Sequence, residues 1–598
     1  MKRTTIIAVI AALGFVTMAA AQGIPEALAE RAGVMSFDAV PARSIAGAAG
    51  DDVVKAVAFP AGLASSVRKT HVNSATVLAP LTDSESSILT GSDAVMSHAE
   101  GGYRVGIERG LRQSVHLVWN GDAKSSALDD VGEYSVWTAS FRSPGADGLR
   151  LRFNDAALPS GVRVFVYSTS GESYGPYTSD TISDASFWTN AVYSDEVFLE
   201  VQIPRAARAA RLTVSAVGHL SFASPTAAAA TACFYDASCA TESDLRGVGN
   251  LSHAVAEILY EDGGSFYVCS GALVNTSMGN SVPYFLTANH CIPNQTQAST
   301  IEAYWDYRTS SCDGEAPPRS QSQRTLGATL LATGPRELGK PDFSLLQLSG
   351  TPPPGRYYLG WSTDDIVFDE GTSLYRVAHP NGATQSFSRH TVTAIPAPSA
   401  CPGLPQGMFI YSRTKAGATT NGSSGSPAVV ADGLRIVGQL YGRCGQNLSS
   451  ECDTLGNSTV DGAFRLTYPY IARWLDPSGG AAPCVPGPTV LCLGENRFKV
   501  SLSARDQRTG TTAIGQAIPQ NEIVGYFSLP ALTMQPKNPE VFVKILDGRA
   551  ITGKYWLFYG GLTDVGFTLT VTDTATASVR TYTKTPGSLC GGADTSAF

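Results

Sequence analysis

A hydroxyl nucleophile needs a base to take its proton and a carboxylate to hold that base in one tautomer. The chain offers few residues for the task. Its eight histidines are His71, His98, His116, His219, His253, His290, His379 and His390, with none beyond position 390. The segment most like that of a serine nucleophile is Asn-Gly-Ser-Ser-Gly-Ser-Pro at 421–427. Glycines flanking a serine let backbone N–H groups converge on an oxyanion beside its hydroxyl. A strand-to-helix nucleophile elbow requires its histidine after the serine, and none follows here, so only an order with histidine first fits.

His290 stands in Tyr-Phe-Leu-Thr-Ala-Asn-His-Cys at 284–291, an apolar run that reads as a strand entering a turn closed by Cys291. His379 stands in Ala-His-Pro-Asn-Gly, and the turn residues after it make it a loop support. Asp342 opens the apolar run Phe-Ser-Leu-Leu-Gln-Leu at 343–348, a position suited to a partly buried carboxylate that accepts the Nδ1 hydrogen bond of a base. Taken singly, His290 reads equally as a packed histidine and Asp342 as a turn residue.

Taken together, the three segments resemble the trypsin-like serine peptidases in the order His, Asp, Ser, and more closely the bacterial lysyl endopeptidase branch. Two further marks are Val-Gly-Gln-Leu-Tyr-Gly at 437–442 and the closing Trp-Leu-Asp-Pro at 474–477. The resemblance covers about 245 residues, 233–477. It implies an all-β fold, a double six-stranded β-barrel with the site in the cleft, and hydrolysis of protein or peptide substrates through an acyl-enzyme. Ser424 would be the nucleophile, His290 the general base and then acid, and Asp342 the orienting carboxylate. The backbone N–H groups of Gly422 and Ser424 would form the oxyanion hole.

Two departures bear on function. Trypsin has an aspartate before its nucleophile that pairs with a new N-terminal amine; here that residue is Ser423, so activity should not depend on that ion pair. Trypsin's specificity aspartate lies six residues before its nucleophile, where this chain has Ala418. Asp461, four residues before Arg465, instead matches the pocket aspartate of lysyl endopeptidases, which implies cleavage after Lys or Arg, with Tyr441 as an aromatic wall. Asp461 is also the first residue of an Asp-Gly turn pair, so Glu or apolar specificity stays open. A rival reading is an inactive, peptidase-like extracellular binding protein.

The elements that must position these residues follow from the rest of the chain. At 598 residues it is too long for one core. With 43% hydrophobic and 16% charged residues, 60 Gly and 34 Pro, it favours short strands and turns. A net charge of −8 gives no support for nucleic-acid binding. Residues 1–21 carry Lys2 and Arg3, a short apolar core and Ala-Ala-Ala, the pattern of a secretory signal peptide. No later stretch has the length of a membrane span, so the expectation is an exported monomer.

Residues 22–100 read as a loosely ordered leader and 101–225 as a β-sandwich. The sandwich resembles the propeptide of such enzymes and would act as an intramolecular inhibitor or folding aid. The catalytic domain is then 226–478, followed by a linker at 479–489 and a second β-sandwich at 490–598.

All eleven cysteines lie at or beyond Cys233. The resemblance implies the pairs Cys269–Cys291 and Cys239–Cys312, with Cys233 joined to Cys444 or Cys452 and Cys401 to the other. Of the last three, Cys492 would take Cys484 or Cys590 and leave one thiol free. No His-Glu-x-x-His occurs and the cysteines are not in closely spaced pairs, so no metal or cofactor is expected.

Overall fold

The structure is a computed structural model. It describes residues 43–49, 74–90, 102–120 and 129–598, apart from 132, 183–185, 208, 223–232, 280, 337–339, 395–400, 478–483, 495, 553, 575–577, 588 and 590. The signal-peptide reading and Cys590 lie outside the described residues.

Two closed rings of strands lie at the centre, as the resemblance implied. In the first, Val255–Asp262 pairs with Ser265–Leu273, which pairs with Tyr284–Thr287, which pairs with Phe343–Leu348. Ala328–Gly334 follows, and Gly327 joins it to Gln323–Leu326, which returns through Glu302–Trp305 to Val255–Asp262. In the second, Arg435–Gly445 pairs on one side with Pro427–Val430 and on the other with Asn457–Ala463. The path runs on through Ser373–Ala378, Ser386–Val392 and Phe409–Ala416 and closes at Asn457–Ala463. Phe343–Leu348 and Tyr284–Thr287 of the first ring are mostly apolar and mostly buried. Phe285, Trp305 and Leu346 fill the first ring, and Leu374, Ile410 and Ala428 are buried in the second. The helix Phe464–Leu475 then packs Phe464 and Tyr468 against Trp361.

The two sandwiches are also present. In the first, a sheet containing Tyr134–Arg142, Glu196–Pro204 and Arg163–Tyr167 faces one containing Gly148–Ala157, Ala210–Leu220 and Tyr103–Trp119. Phe141, Leu151, Phe153 and Leu199 lie in the core between them. In the last, Phe498–Arg505 and Gly566–Asp573 face Val541–Gly548 and Lys554–Gly561 over Phe498, Phe527, Leu557 and Leu569.

Two arrangements go beyond the sequence reading. The first sandwich is not a separate bead. Its strand Tyr103–Trp119 pairs antiparallel with Ser265–Leu273, from Ser265 opposite Ile107 to Val268 opposite Tyr103, so one eleven-stranded sheet runs through both units. Buried charges seal the join. Arg324 reaches Glu302 at 3.2 Å and Glu172 of the sandwich at 2.9 Å, and Glu302 accepts Asn190 Nδ2 at 2.7 Å and the Ala191 N–H at 2.9 Å.

The leader is also not wholly loose, which corrects that expectation. Ser44–Ile45 pairs with Gly360–Ser362 and Ala48–Ala49 with Tyr357–Tyr358, while Arg43 pairs with Asp476. A side chain at residue 360 would meet the Ile45 carbonyl, so Gly360 is what admits this strand. Strands of two small residues carry no alternation of their own, and their order comes from the edge they join.

Five disulfides are formed: Cys233–Cys452, Cys239–Cys312, Cys269–Cys291, Cys401–Cys444 and Cys484–Cys492. Cys233 thus takes Cys452, and Cys492 takes Cys484. No other cysteine of the chain is left for Cys590. Among the described residues, no helix is long and apolar enough to cross a membrane.

Candidate active site

The candidate base is set by two bonds to one carboxylate. Asp342, buried at the mouth of Phe343–Leu348 with φ of 55°, accepts the His290 backbone N–H on Oδ1 at 3.0 Å. It also meets His290 Nδ1 with Oδ2 at 2.7 Å. An ionised carboxylate only accepts, so Nδ1 carries the proton and the neutral ring keeps its lone pair on Nε2. The Cys269–Cys291 bridge pins the turn directly after the ring.

Ser424 lies on a turn held from three sides. Its carbonyl accepts the Ser270 N–H at 2.9 Å, and the Ser270 hydroxyl donates to the Gly422 carbonyl at 2.9 Å. The Ser270 carbonyl accepts the Thr287 hydroxyl at 2.8 Å, tying the turn to the strand that ends three residues before His290. A Cβ on Gly425 would lie 2.5 Å from the Ser270 carbonyl and press on that hydroxyl. On the other side, the Gly425 N–H donates to Leu440 O at 2.8 Å and the Leu440 N–H to Ser426 O at 2.9 Å. The next residue, Tyr441, sets its ring edge-on to His290 with centroids 5.5 Å apart.

The turn leaves two donors open. The N–H groups of Ser423, Gly425 and Ser426 bond to Thr420, Leu440 and Ser423 carbonyls, whereas among the described residues those of Gly422 and Ser424 find no acceptor in the chain. Gly422 has φ of 84°, and a Cβ there would lie 2.6 Å from His379 O. Only glycine keeps that donor in place at no steric cost. The pair of unpaired donors beside Ser424 is what an oxyanion requires.

His379 is a support. It is buried, its Nδ1 donates to Ala383 O at 3.0 Å, and its backbone N–H donates to the Ser270 hydroxyl at 2.9 Å. Burial holds its pKa down to about 3, so the ring is neutral. Ser270 thus ties the Ser424 turn, the His379 loop and the His290 strand together. Sequence reasoning missed it, because a serine after a strand cysteine carries no local signal.

Asp461 lies opposite Leu440 and is not open to solvent. Its Oδ1 meets Arg376 Nη2 at 2.5 Å, and both side chains are buried. Burial pushes its carboxyl up, against the pull of Arg376. Ala418 is buried close before the turn.

Residues 227–457 match the family model "Lysyl endopeptidase, C-terminal domain" and residues 78–228 the model "Lysyl endopeptidase N-terminal domain". The chain is a lysyl endopeptidase-like serine peptidase. A lysyl endopeptidase of Pseudomonas aeruginosa is 29% identical over 350 residues, covering 55% of this chain and 72% of that protein. Among solved structures, the Rv3671c protease from M. tuberculosis covers 38% of this chain and 82% of its own at 13% identity, with a TM-score of 0.26. The MamO protease domain from Magnetospirillum magneticum covers 36% and 95% at 17% identity, with a TM-score of 0.24. The two family-model matches make the lysyl endopeptidase-like chain a serine endopeptidase, and the N-terminal match spans the sandwich joined to the first ring.

Proposed function

We propose that this peptidase is exported as a precursor and cleaves peptide bonds with Ser424 as nucleophile, His290 as general base and then acid, and Asp342 as the carboxylate that orients it. The observation that carries this reading is the pair of hydrogen bonds that Asp342 accepts from His290, which leaves Nε2 as the acceptor. Nε2 takes the Ser424 hydroxyl proton as oxygen attacks the carbonyl carbon. The Gly422 and Ser424 N–H groups bind the resulting oxyanion, and His290 returns the proton to the leaving amine. Water then repeats the sequence to hydrolyse the acyl-enzyme. The pattern of residues 1–21 and five disulfides support export to an oxidising compartment. The shared sheet supports a propeptide role for the N-terminal sandwich.

Asp461 reads the side chain ahead of the scissile bond from the base of the pocket, and Tyr441 walls it beside His290. The test is fluorophosphonate labelling of the purified protein, with the modified residue located by mass spectrometry, alongside a cleavage-site profile on a mixed peptide set. Labelling at Ser424 that is lost in His290→Ala supports the reading, and absence of labelling with no cleavage defeats it.

A further inference from the structure

The Lys or Arg preference expected of Asp461 requires a carboxylate whose charge is available. Asp461 already has a cation. Arg376 arrives from the neighbouring part of the second ring, on Ser373–Ala378, and its guanidinium is held at two ends: Nη2 on Asp461 Oδ1 at 2.5 Å, Nη1 on Ser426 O at 2.8 Å and Ser426 Oγ at 3.0 Å. Ser426 is two residues past Ser424, and its carbonyl also accepts the Leu440 N–H. The guanidinium is thus wedged between the nucleophile turn and Asp461, fully buried. His390, the other titratable group beside Arg376, is kept neutral by burial and by that charge.

A contact ion pair has no net charge, and its field falls off faster than that of a lone carboxylate. A substrate ammonium brought to Asp461 would be repelled by Arg376 about as strongly as the carboxylate draws it. Its own desolvation, several kcal/mol for an ion taken from water, would go largely uncompensated. An acidic side chain meets the mirror of the same problem. What the pair still offers is polar but uncharged: Asp461 Oδ2 and Arg376 Nε are buried without partners, one an acceptor and one a donor.

Resting on the pocket role of Asp461 given above, we propose that Arg376 determines specificity. It is the built-in counter-ion of Asp461, and the pocket takes an uncharged side chain and does not select lysine by charge.

The test measures kcat/KM of the purified protein on peptides that differ only at the residue before the scissile bond: Lys, norleucine, Gln and Glu. The wild type is expected to cut after Lys no more than about tenfold better than after norleucine or Gln. Arg376→Gln uncovers Asp461 and should raise the Lys-to-norleucine ratio by about 100-fold, two factors of ten at 1.4 kcal/mol each. Arg376→Lys keeps the counter-ion and should hold the ratio low. The ratio is internal to each enzyme, so a general loss of activity cancels.

A wild type that prefers Lys over norleucine by more than about 100-fold overturns the proposal, and this result needs no variant to fold. An Arg376→Gln ratio equal to that of the wild type also overturns it. Ser424 labelling separates the levels: labelling with strict Lys cleavage sinks this inference alone, whereas no labelling and no cleavage sinks the peptidase mechanism beneath it.

Discussion

Asp342 binds His290 at two points, the backbone N–H on one carboxylate oxygen and Nδ1 on the other, so a single side chain sets both the position of the ring and its tautomer. Replacing one oxygen by an NH₂ changes the second property with little change in shape. Asp342→Asn should lower kcat/KM by about 10⁴-fold while the far-ultraviolet circular dichroism stays that of the wild type. An activity loss below about tenfold would show that Asp342 is not the orienting group.

Ser270 bonds to Gly422, Ser424 and the His379 backbone, yet it touches none of the groups assigned to bond making. Ser270→Ala leaves a buried carbonyl and a buried N–H without their hydroxyl partner, at about 1–3 kcal/mol. The thermal midpoint should fall, and the rate of Ser424 phosphonylation should fall more than substrate KM rises. Ser270→Thr, which restores a hydroxyl, should recover part of both. Equal rates in Ser270→Ala and wild type would remove Ser270 from the support of the turn.

Acid should weaken the fold before the carboxylates titrate. Burial lowers the pKa of His379 to about 3 and that of His390 well below its ordinary value, so neither takes a proton while folded. Unfolded, both take one as pH falls through about 6.5. The unfolded state therefore binds more protons, and stability falls with pH below that value. For the two rings together the slope is about 2–3 kcal/mol per pH unit near pH 5.5. Urea midpoints at pH 7, 6 and 5.5 check it, and His390→Asn should flatten the slope by about half.

The join between the N-terminal sandwich and the first ring rests on the Glu172–Arg324–Glu302 cluster, with Arg324 2% and Glu302 0% exposed. Glu172→Ala removes one carboxylate and leaves its share of a buried guanidinium unpaired, which costs about 3–5 kcal/mol. The full-length chain should then refold in lower yield and be cut faster by an added protease at the sandwich. Unchanged yield and cutting would show that the sheet pairing alone holds the two units.

The parts legible in the sequence were those whose signal is local. His290 with Cys291, Asp342 before an apolar run, and Ser424 between glycines are each ambiguous singly, and it is three short segments in the order His, Asp, Ser that point to a site. The pairing Cys269–Cys291, implied by the resemblance, is present. What stayed hidden depends on distant partners. Arg376 sits in Ser-Leu-Tyr-Arg-Val-Ala, where alternation puts it on the face of Leu374 but names no partner for its charge, and only closure of the second ring brings it to Asp461, 85 residues on. The Ser44–Ile45 strand is ordered by Gly360, more than three hundred residues away. Edge-to-edge joining of two sheets leaves no periodicity to read, since each strand alternates alike whether its edge is free or paired.

On the proposed precursor reading, that continuous sheet has a bearing on maturation. A nick anywhere in 223–232 severs the chain but breaks none of the backbone bonds between Tyr103–Trp119 and Ser265–Leu273. Cleavage and emancipation of the proposed propeptide would therefore be separate events with separate rates. The interval between them is governed by how fast one strand peels from the edge of another, which makes the latent period a property of the seam and not of the processing protease.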